Sequence, residues 1–280
     1  MNRDTAIFVL LLVGSAAVLA LSRPGLVGGL AFAVAIFTAA WCLSLALRDA
    51  GIVDILWGLG FVAIAWFAVF ANSGPVSRRA LLVTSLTTIW GLRLALHIGI
   101  RNAGAGEDHR YAAWREESGS SFWWVSYFKV FLLQAVILWV VSSPLALVHA
   151  DTRSAGLSPI DLVGFGLWLL GFAYETVADW QLTRFKRDPS SRGQVLRSGL
   201  WSLSRHPNYF GEAVLWWGIG LLVLPAGGWI SLIGPALITF LLLRISGVAL
   251  LDRTMVERRP AYADYIRETP AFVPIPRFLR

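Results

Sequence analysis

Long apolar runs separated by short polar breaks dominate the chain. Eight stretches, at roughly 6–22, 27–47, 53–71, 80–98, 125–148, 159–180, 209–225 and 229–249, carry few or no charges. A helix needs about 20 apolar residues to cross the hydrocarbon core of a membrane, and most of these runs reach or approach that length. The apolar character is continuous and does not alternate, which predicts helices and not the strands of a barrel. The expected fold class is all-α: a polytopic integral membrane bundle of about seven or eight transmembrane helices. The last two runs flank Leu224-Pro225-Ala226-Gly227-Gly228, a Pro/Gly break that predicts a helical hairpin. No internal repeat is visible. The expected division is a pair of N-terminal transmembrane helices over 1–44 and a main membrane domain over 45–280.

Composition supports this picture. Of 280 residues, 56% are hydrophobic and 15% are charged, against about a quarter charged in an ordinary soluble domain. The net charge of +7 would fit a nucleic-acid binder, but in a membrane chain excess Lys and Arg marks cytoplasmic loops. With both termini cytoplasmic, the inner segments carry 17 Lys and Arg residues and the outer loops 4. That asymmetry sets the expected orientation. It places the polar segments 99–124, 181–208 and 250–280 on the cytoplasmic side. The single cysteine, Cys42, excludes an internal disulfide and a CxxC motif. No small-x-small cleavage site precedes Arg23, so the first run reads as a retained helix and not a signal peptide.

Ionisable groups within spans cost free energy unless paired or hydrated, and so mark function by default. Asp54, Arg93, Glu175, Asp179, Glu212 and Arg244 are of this kind. Glu175 and Asp179 are four residues apart and share a helix face, as do Asn208 and Glu212. Both faces are expected to turn inward, towards each other or a wet pocket. Plainer roles exist: snorkelling for Arg93 and Arg244, an interfacial cap for Asp54, and pairing of Glu175 and Asp179 with Arg184 and Lys186.

The stretch GLWSLSRHPNYFGE (199–212) concentrates polar groups where an apolar run begins. Ser204 and Pro207 suit a helix start. A helix N-terminus also favours a phosphate, and Arg205 and His206 would add cationic donors. With Arg184, Lys186, Arg187, Arg192 and Arg197 nearby in sequence, 181–212 reads as a pocket for an anionic, phosphorylated cytoplasmic molecule. Arg93, Arg101, Arg110 and Tyr111 form a second basic cluster that could clamp its other end. There is no dinucleotide glycine fingerprint, Walker loop, HExxH or GxSxG. The scattered His97, His109, His149 and His206 do not suggest a metal site.

The 199–212 motif, the following apolar hairpin, and Ala261-Tyr262-Ala263-Asp264-Tyr265-Ile266-Arg267 with Phe272-Val273-Pro274 resemble the DUF1295 membrane proteins. Those belong with the C-terminal domain of the steroid 5-alpha-reductases. VDILWGLGF (53–61), WGLRLALHIGIR (90–101) and EDHRYAAWR (107–115) extend the resemblance to roughly 45–276. It implies a cytoplasm-facing NADPH pocket and a lipophilic substrate entering from the bilayer, with hydride passing to a carbon–carbon double bond conjugated to a carbonyl. Asp179, Asn208, Glu212 and Arg93 match that pattern in type. Lys186 stands where arginine is usual, Glu175 where asparagine is usual, and Arg101 where the reductases have asparagine. Asp54 falls near the glutamate that polarises the substrate carbonyl. Trp90 falls near its partner tyrosine, and Asp252 stands where a later tyrosine is expected. The resemblance thus implies catalytic roles for Asp54, as a protonated acid, and for Tyr209 and Glu212. It implies NADPH contacts from Arg93, Arg101, Arg110, Tyr111, Glu175, Asp179, Lys186, Arg205, His206, Asn208, Glu212 and Arg267.

The RHPNY start is also similar to membrane methyltransferases that modify isoprenylcysteine or phospholipids with S-adenosylmethionine. Arg244 is present here, but Leu250-Leu251-Asp252-Arg253 and a single Glu257 depart from the paired glutamates of those enzymes. A third reading is a non-catalytic lipid- or nucleotide-binding bundle. In all three, the expected partners are membrane lipids and a lipophilic small molecule, with no nucleic acid.

Overall fold

The computed structural model describes residues 3–22, 26–150, 158–245 and 247–276. Every regular element among them is helical: α1 (Arg3–Ser22), α2 (Val27–Leu47), α3 (Ile52–Ala71), α4 (Arg78–Asn102), α5 (His109–Ser118), α6 (Phe122–Ser126), α7 (Leu133–Val141), α8 (Ser143–Ala150), α9 (Pro159–Arg187), α10 (Pro207–Gly227), α11 (Ile233–Phe240), α12 (Val248–Arg258) and α13 (Tyr262–Glu268). A π-helical turn, Tyr127–Leu132, joins α6 to α7. The helix starts follow local chemistry. Ser77 caps α4 by accepting from the Ala80 N–H at 3.1 Å. A Ser158–Asp161 capping box opens α9, with Pro159 in the first turn.

Seven helical stretches among the described residues are long and apolar enough to cross a membrane, which makes the protein a polytopic helical membrane protein. The seventh, Pro207–Ile245, spans 39 residues and holds the last two expected runs. It is not straight: α10 ends at a left-handed Gly228, φ +62°. The Trp217 indole then donates to the Thr239 hydroxyl at 3.1 Å. Along one straight helix those residues would lie roughly 33 Å apart, so the chain reverses here and the hairpin expectation holds. The expected run 229–249 is not one α-helix, however. A 3₁₀ turn (Gly228–Leu232), α11 and a π turn (Leu241–Ile245) share it. The polar segment expected as a loop over 99–124 is largely helical, in the end of α4 and in α5 and α6. Of the arginines counted for orientation, Arg23, Arg153, Arg277 and Arg280 lie outside the described residues.

The chain divides into two compact units: Met1–Val13 with Ser158–Leu222 and Gly234–Arg280, and Gly14–Leu157 with Val223–Ile233. In the second, α3 and α4 touch backbone to backbone. A Cβ on Gly58 would stand 2.5 Å from the Gly91 carbonyl oxygen, so neither position admits a side chain without separating the helices. Phe37, Phe61, Trp90 and Leu138 fill the core of this unit. In the first unit, Gly164 and Gly171 of α9 meet Gly218 and Gly211 of α10 in the same way. Small residues let helices approach closely in lipid, where hydrophobic contact alone gains little. Leu10, Phe70 and Leu162 are each more than 70% exposed, as expected of side chains whose solvent is acyl chain.

Candidate functional site

In the α3–α4 unit, chemistry gathers where α3 begins and α4 ends. Asp108 caps α5, accepting from the Arg110 backbone N–H at 2.9 Å and from its Nε at 2.9 Å. The same Arg110 donates from Nη2 to Asp54 Oδ2 at 2.7 Å, and the Tyr111 hydroxyl donates to Asp54 Oδ1 at 2.8 Å. Glu107 accepts from the Ala50 backbone N–H at 2.8 Å and takes a two-pronged bond from Arg115 at 2.7 and 2.8 Å. α5 is thereby strapped to the turn between α2 and α3. Burial works to raise the Glu107 and Asp108 carboxyls, but hydrogen bonds from Arg115 and from Arg110 hold each below its usual range.

This arrangement revises the expected role of Asp54. Both of its oxygens are taken up as acceptors, so neither is left to donate to a substrate carbonyl. Arg110 and Tyr111, expected on a cofactor, are its partners. Trp90 packs in the core against Phe61, with ring centroids 5.5 Å apart. Arg93 is half-buried on α4, and the exposed Arg101 turns its Nε to Asn102 at 3.1 Å.

In the α9–α10 unit, the glycine contact runs directly into a polar seam. A Cβ on Gly211 would stand 2.5 Å from the Glu175 backbone nitrogen. Glu175, Asp179 and Glu212 are 3%, 5% and 8% exposed. Asn208 donates from Nδ2 to Asp179 Oδ1 at 3.1 Å. The two faces inferred from four-residue spacing do meet, and they enclose three carboxylates and an amide. Lys186 stands exposed at the end of α9.

At the start of α10 the expectation changes most. Pro207 is the first helical residue, as predicted. Ser204 is not a helix cap: its hydroxyl donates to the Phe272 carbonyl at 2.8 Å and accepts from the His206 N–H at 3.1 Å. Arg205 and His206 are not cations open to a phosphate, because Asp252 of α12 occupies them. Arg205 Nη2 donates to Asp252 Oδ2 at 2.6 Å, His206 Nε2 lies 2.9 Å from Oδ1, and the Tyr262 hydroxyl donates to Oδ1 at 3.0 Å. Arg205 Nη1 also donates to the Ile266 and Thr269 carbonyls, and its backbone N–H donates to that of Pro270. Burial would push the Asp252 carboxyl up, yet hydrogen bonds and charge from His206 and Arg205 hold it down at about 2. Burial, then the Asp252 charge, pushes the Tyr262 phenol above its usual value. Tyr209 stacks on His206 with the rings 3° from parallel. Arg267 is exposed and pairs with Asp264. Asp252 and Tyr262 were missed as site residues. Asp252 lies 47 positions from Arg205 and 46 from His206, and no local pattern announces the pairing.

The chain is 25% identical over 272 residues, 84% of its length and 75% of the relative's, to an uncharacterised protein of Schizosaccharomyces pombe. It is 33% identical over 84 residues, 29% of its length and 28% of the relative's, to a probable O-methyltransferase, ustE, of Ustilaginoidea virens. The family model described as "Protein of unknown function (DUF1295)" matches residues 40–269. A match across that much of the chain settles its kinship: the protein belongs to the DUF1295 family.

Proposed function

We propose that the protein is a membrane-embedded, NADPH-dependent reductase of a lipophilic enone, with the nicotinamide end of the cofactor at the α9–α10 seam. The observation that carries this reading is the buried amide–carboxylate group of Asn208, Asp179, Glu175 and Glu212. A carboxamide presents two N–H donors and one acceptor oxygen. Carboxylates accept the first and an asparagine amide donates to the second, so these residue types fit the nicotinamide end.

The phosphate end does not fit Arg205 and His206, which already hold Asp252. The exposed Arg184, Lys186, Arg187 and Arg192 at and beyond the end of α9 have the charge for it. When bound, NADPH supplies the hydride. The chain's own residues bind the carboxamide, fix its orientation through Asn208 and Asp179, and keep water from the seam by burial. The Lys and Arg asymmetry of the loops supports access from the cytoplasm. The resemblance to steroid 5-alpha-reductases supports the lipophilic substrate class.

The test is titration of NADPH, NADH and S-adenosylmethionine into the detergent-purified full chain, read by thermal shift. NADPH is expected to stabilise the wild type, and Asn208→Ala and Glu212→Gln to weaken that binding by about tenfold or more. Lack of any NADPH response would end the reading.

Two observations favour methyl transfer as a second reading. One is the partial match to a probable O-methyltransferase. The other is the three buried carboxylates, which suit a sulfonium cation, in a unit whose helix mouth is already charge-balanced. A response to S-adenosylmethionine without one to NADPH would select it.

A further inference from the structure

The α3–α4 unit holds a cavity of about 400 Å³ at the end of α3 remote from Asp54. Ala71 and Asn72, where α3 terminates, line it, roughly 25 Å along the helix from Asp54. It is therefore separate from the Asp54 cluster, and it plays no part in the function proposed above. Leu26, Ile64, Phe67 and Trp139 make its wall mostly apolar. Its size lies within the range of small-molecule sites, about 300–1,000 Å³.

Two lining residues carry polar atoms with no partner among the described residues. His149 and Ser143 of α8 are 5% and 3% exposed. Nδ1 of His149 and Oγ of Ser143 have no hydrogen-bond partner among the described residues. The other ring nitrogen of His149, Nε2, lies 3.0 Å from the Thr84 hydroxyl, which fixes the ring. Buried polar groups left without partners are costly, and two of them beside one apolar cavity point to a ligand with a single polar end.

We propose that this cavity is a binding site for a lipophilic alcohol, its chain along the apolar wall and its hydroxyl between His149 and Ser143. The choice of hydroxyl follows from the tautomers. If Thr84 donates to Nε2, Nδ1 bears the proton and needs an acceptor. If Nε2 donates to Thr84, Nδ1 needs a donor. A carbonyl satisfies only the first case, whereas a hydroxyl satisfies both and still bonds Ser143, whose hydroxyl donates or accepts by rotation about the Cβ–Oγ bond.

The test is photolabelling of the full chain in detergent with a diazirine-bearing long-chain primary alcohol, against the matching methyl ether, with adducts mapped by mass spectrometry. The ether can accept from His149 or Ser143 but cannot donate. The alcohol is expected to label the peptides of α2, α7 and α8 at about five- to tenfold lower concentration than the ether. The double variant Ser143→Ala with His149→Phe is expected to erase that preference in either tautomer, and Ala146→Phe, which fills the cavity, to abolish labelling by both. A circular dichroism melt confirms that each variant is folded; if the double variant is not, Ala146→Phe decides. Equal labelling by alcohol and ether in the wild type, a preference that survives the double variant, or labelling that survives Ala146→Phe, would overturn the proposal.

Discussion

Each unit contains one aspartate gripped by two adjacent residues. In one, Arg110 and Tyr111 hold Asp54; in the other, Arg205 and His206 hold Asp252. In both, a short polar helix is tied to the start of a long apolar one: α5 to α3, and α12 with α13 to α10. The difference is water. The Arg110 side chain is 39% exposed and that of Asp54 16%, against 9% for Arg205 and 15% for Asp252. The Asp252 clamp also has Tyr262 and two backbone carbonyls on Arg205. An exposed ion pair is screened and contributes little, whereas breaking a dry pair leaves a buried charge with no partner. The Asp252 group is therefore a structural clamp, and the Asp54 group a latch that can open at small cost.

The largest expected effect is that of Asp252→Ala, which strands Arg205 and Tyr262. It is expected to cost about 3–5 kcal/mol, measured by unfolding in mixed SDS–detergent micelles with circular dichroism. A loss under about 1 kcal/mol would show that the clamp is as wet as the latch.

Acid gives the next effect. The Asp252 carboxyl is held at about 2 in the folded protein against an ordinary 3.8, so folding favours its charged form. That stabilisation is complete above about pH 4 and is lost as pH falls from about 4 to about 2; it amounts to about 2 kcal/mol. A pH titration of stability in the wild type and in Asp252→Asn checks it, and only the wild type should lose this increment.

Asp54→Asn is expected to cost about 1 kcal/mol, because Arg110 keeps Asp108 and its contact with solvent. The cost should shrink in about 1 M salt, while that of Asp252→Ala should not. Equal salt sensitivity would remove the distinction between the two groups.

The smallest pair of effects is that of Tyr111→Phe and Tyr262→Phe, each removing one hydrogen bond, about 0.5–1.5 kcal/mol. The two should be alike, since Tyr111 and Tyr262 are 4% and 5% exposed and their partner aspartates 16% and 15%.

Some of this was legible in the sequence. The apolar runs announced the helices, because crossing a membrane demands length and hydrophobicity together. The apolar run expected from 159 does open α9, and the break around Gly228 announced the hairpin. Glu175 with Asp179 and Asn208 with Glu212 were placed on shared faces by spacing alone, and the contact of Asn208 with Asp179 agrees. The roles of Arg205, His206 and Asp54 were not legible. Their types and positions suit a ligand, yet each is occupied by a residue 46–57 positions distant. Asp252 stood out in the sequence only as a departure from a family pattern.

By itself the sequence determined that the chain crosses a membrane, where its helices run, and which polar residues share a helical face. Those properties depend on hydrophobicity and on a 3.6-residue period, both local. Only the tertiary structure decided which charges are spent on each other and which remain for chemistry. The sign of a buried group's contribution depends on what stands within about 3 Å of it, and in this protein that neighbour comes from a different helix.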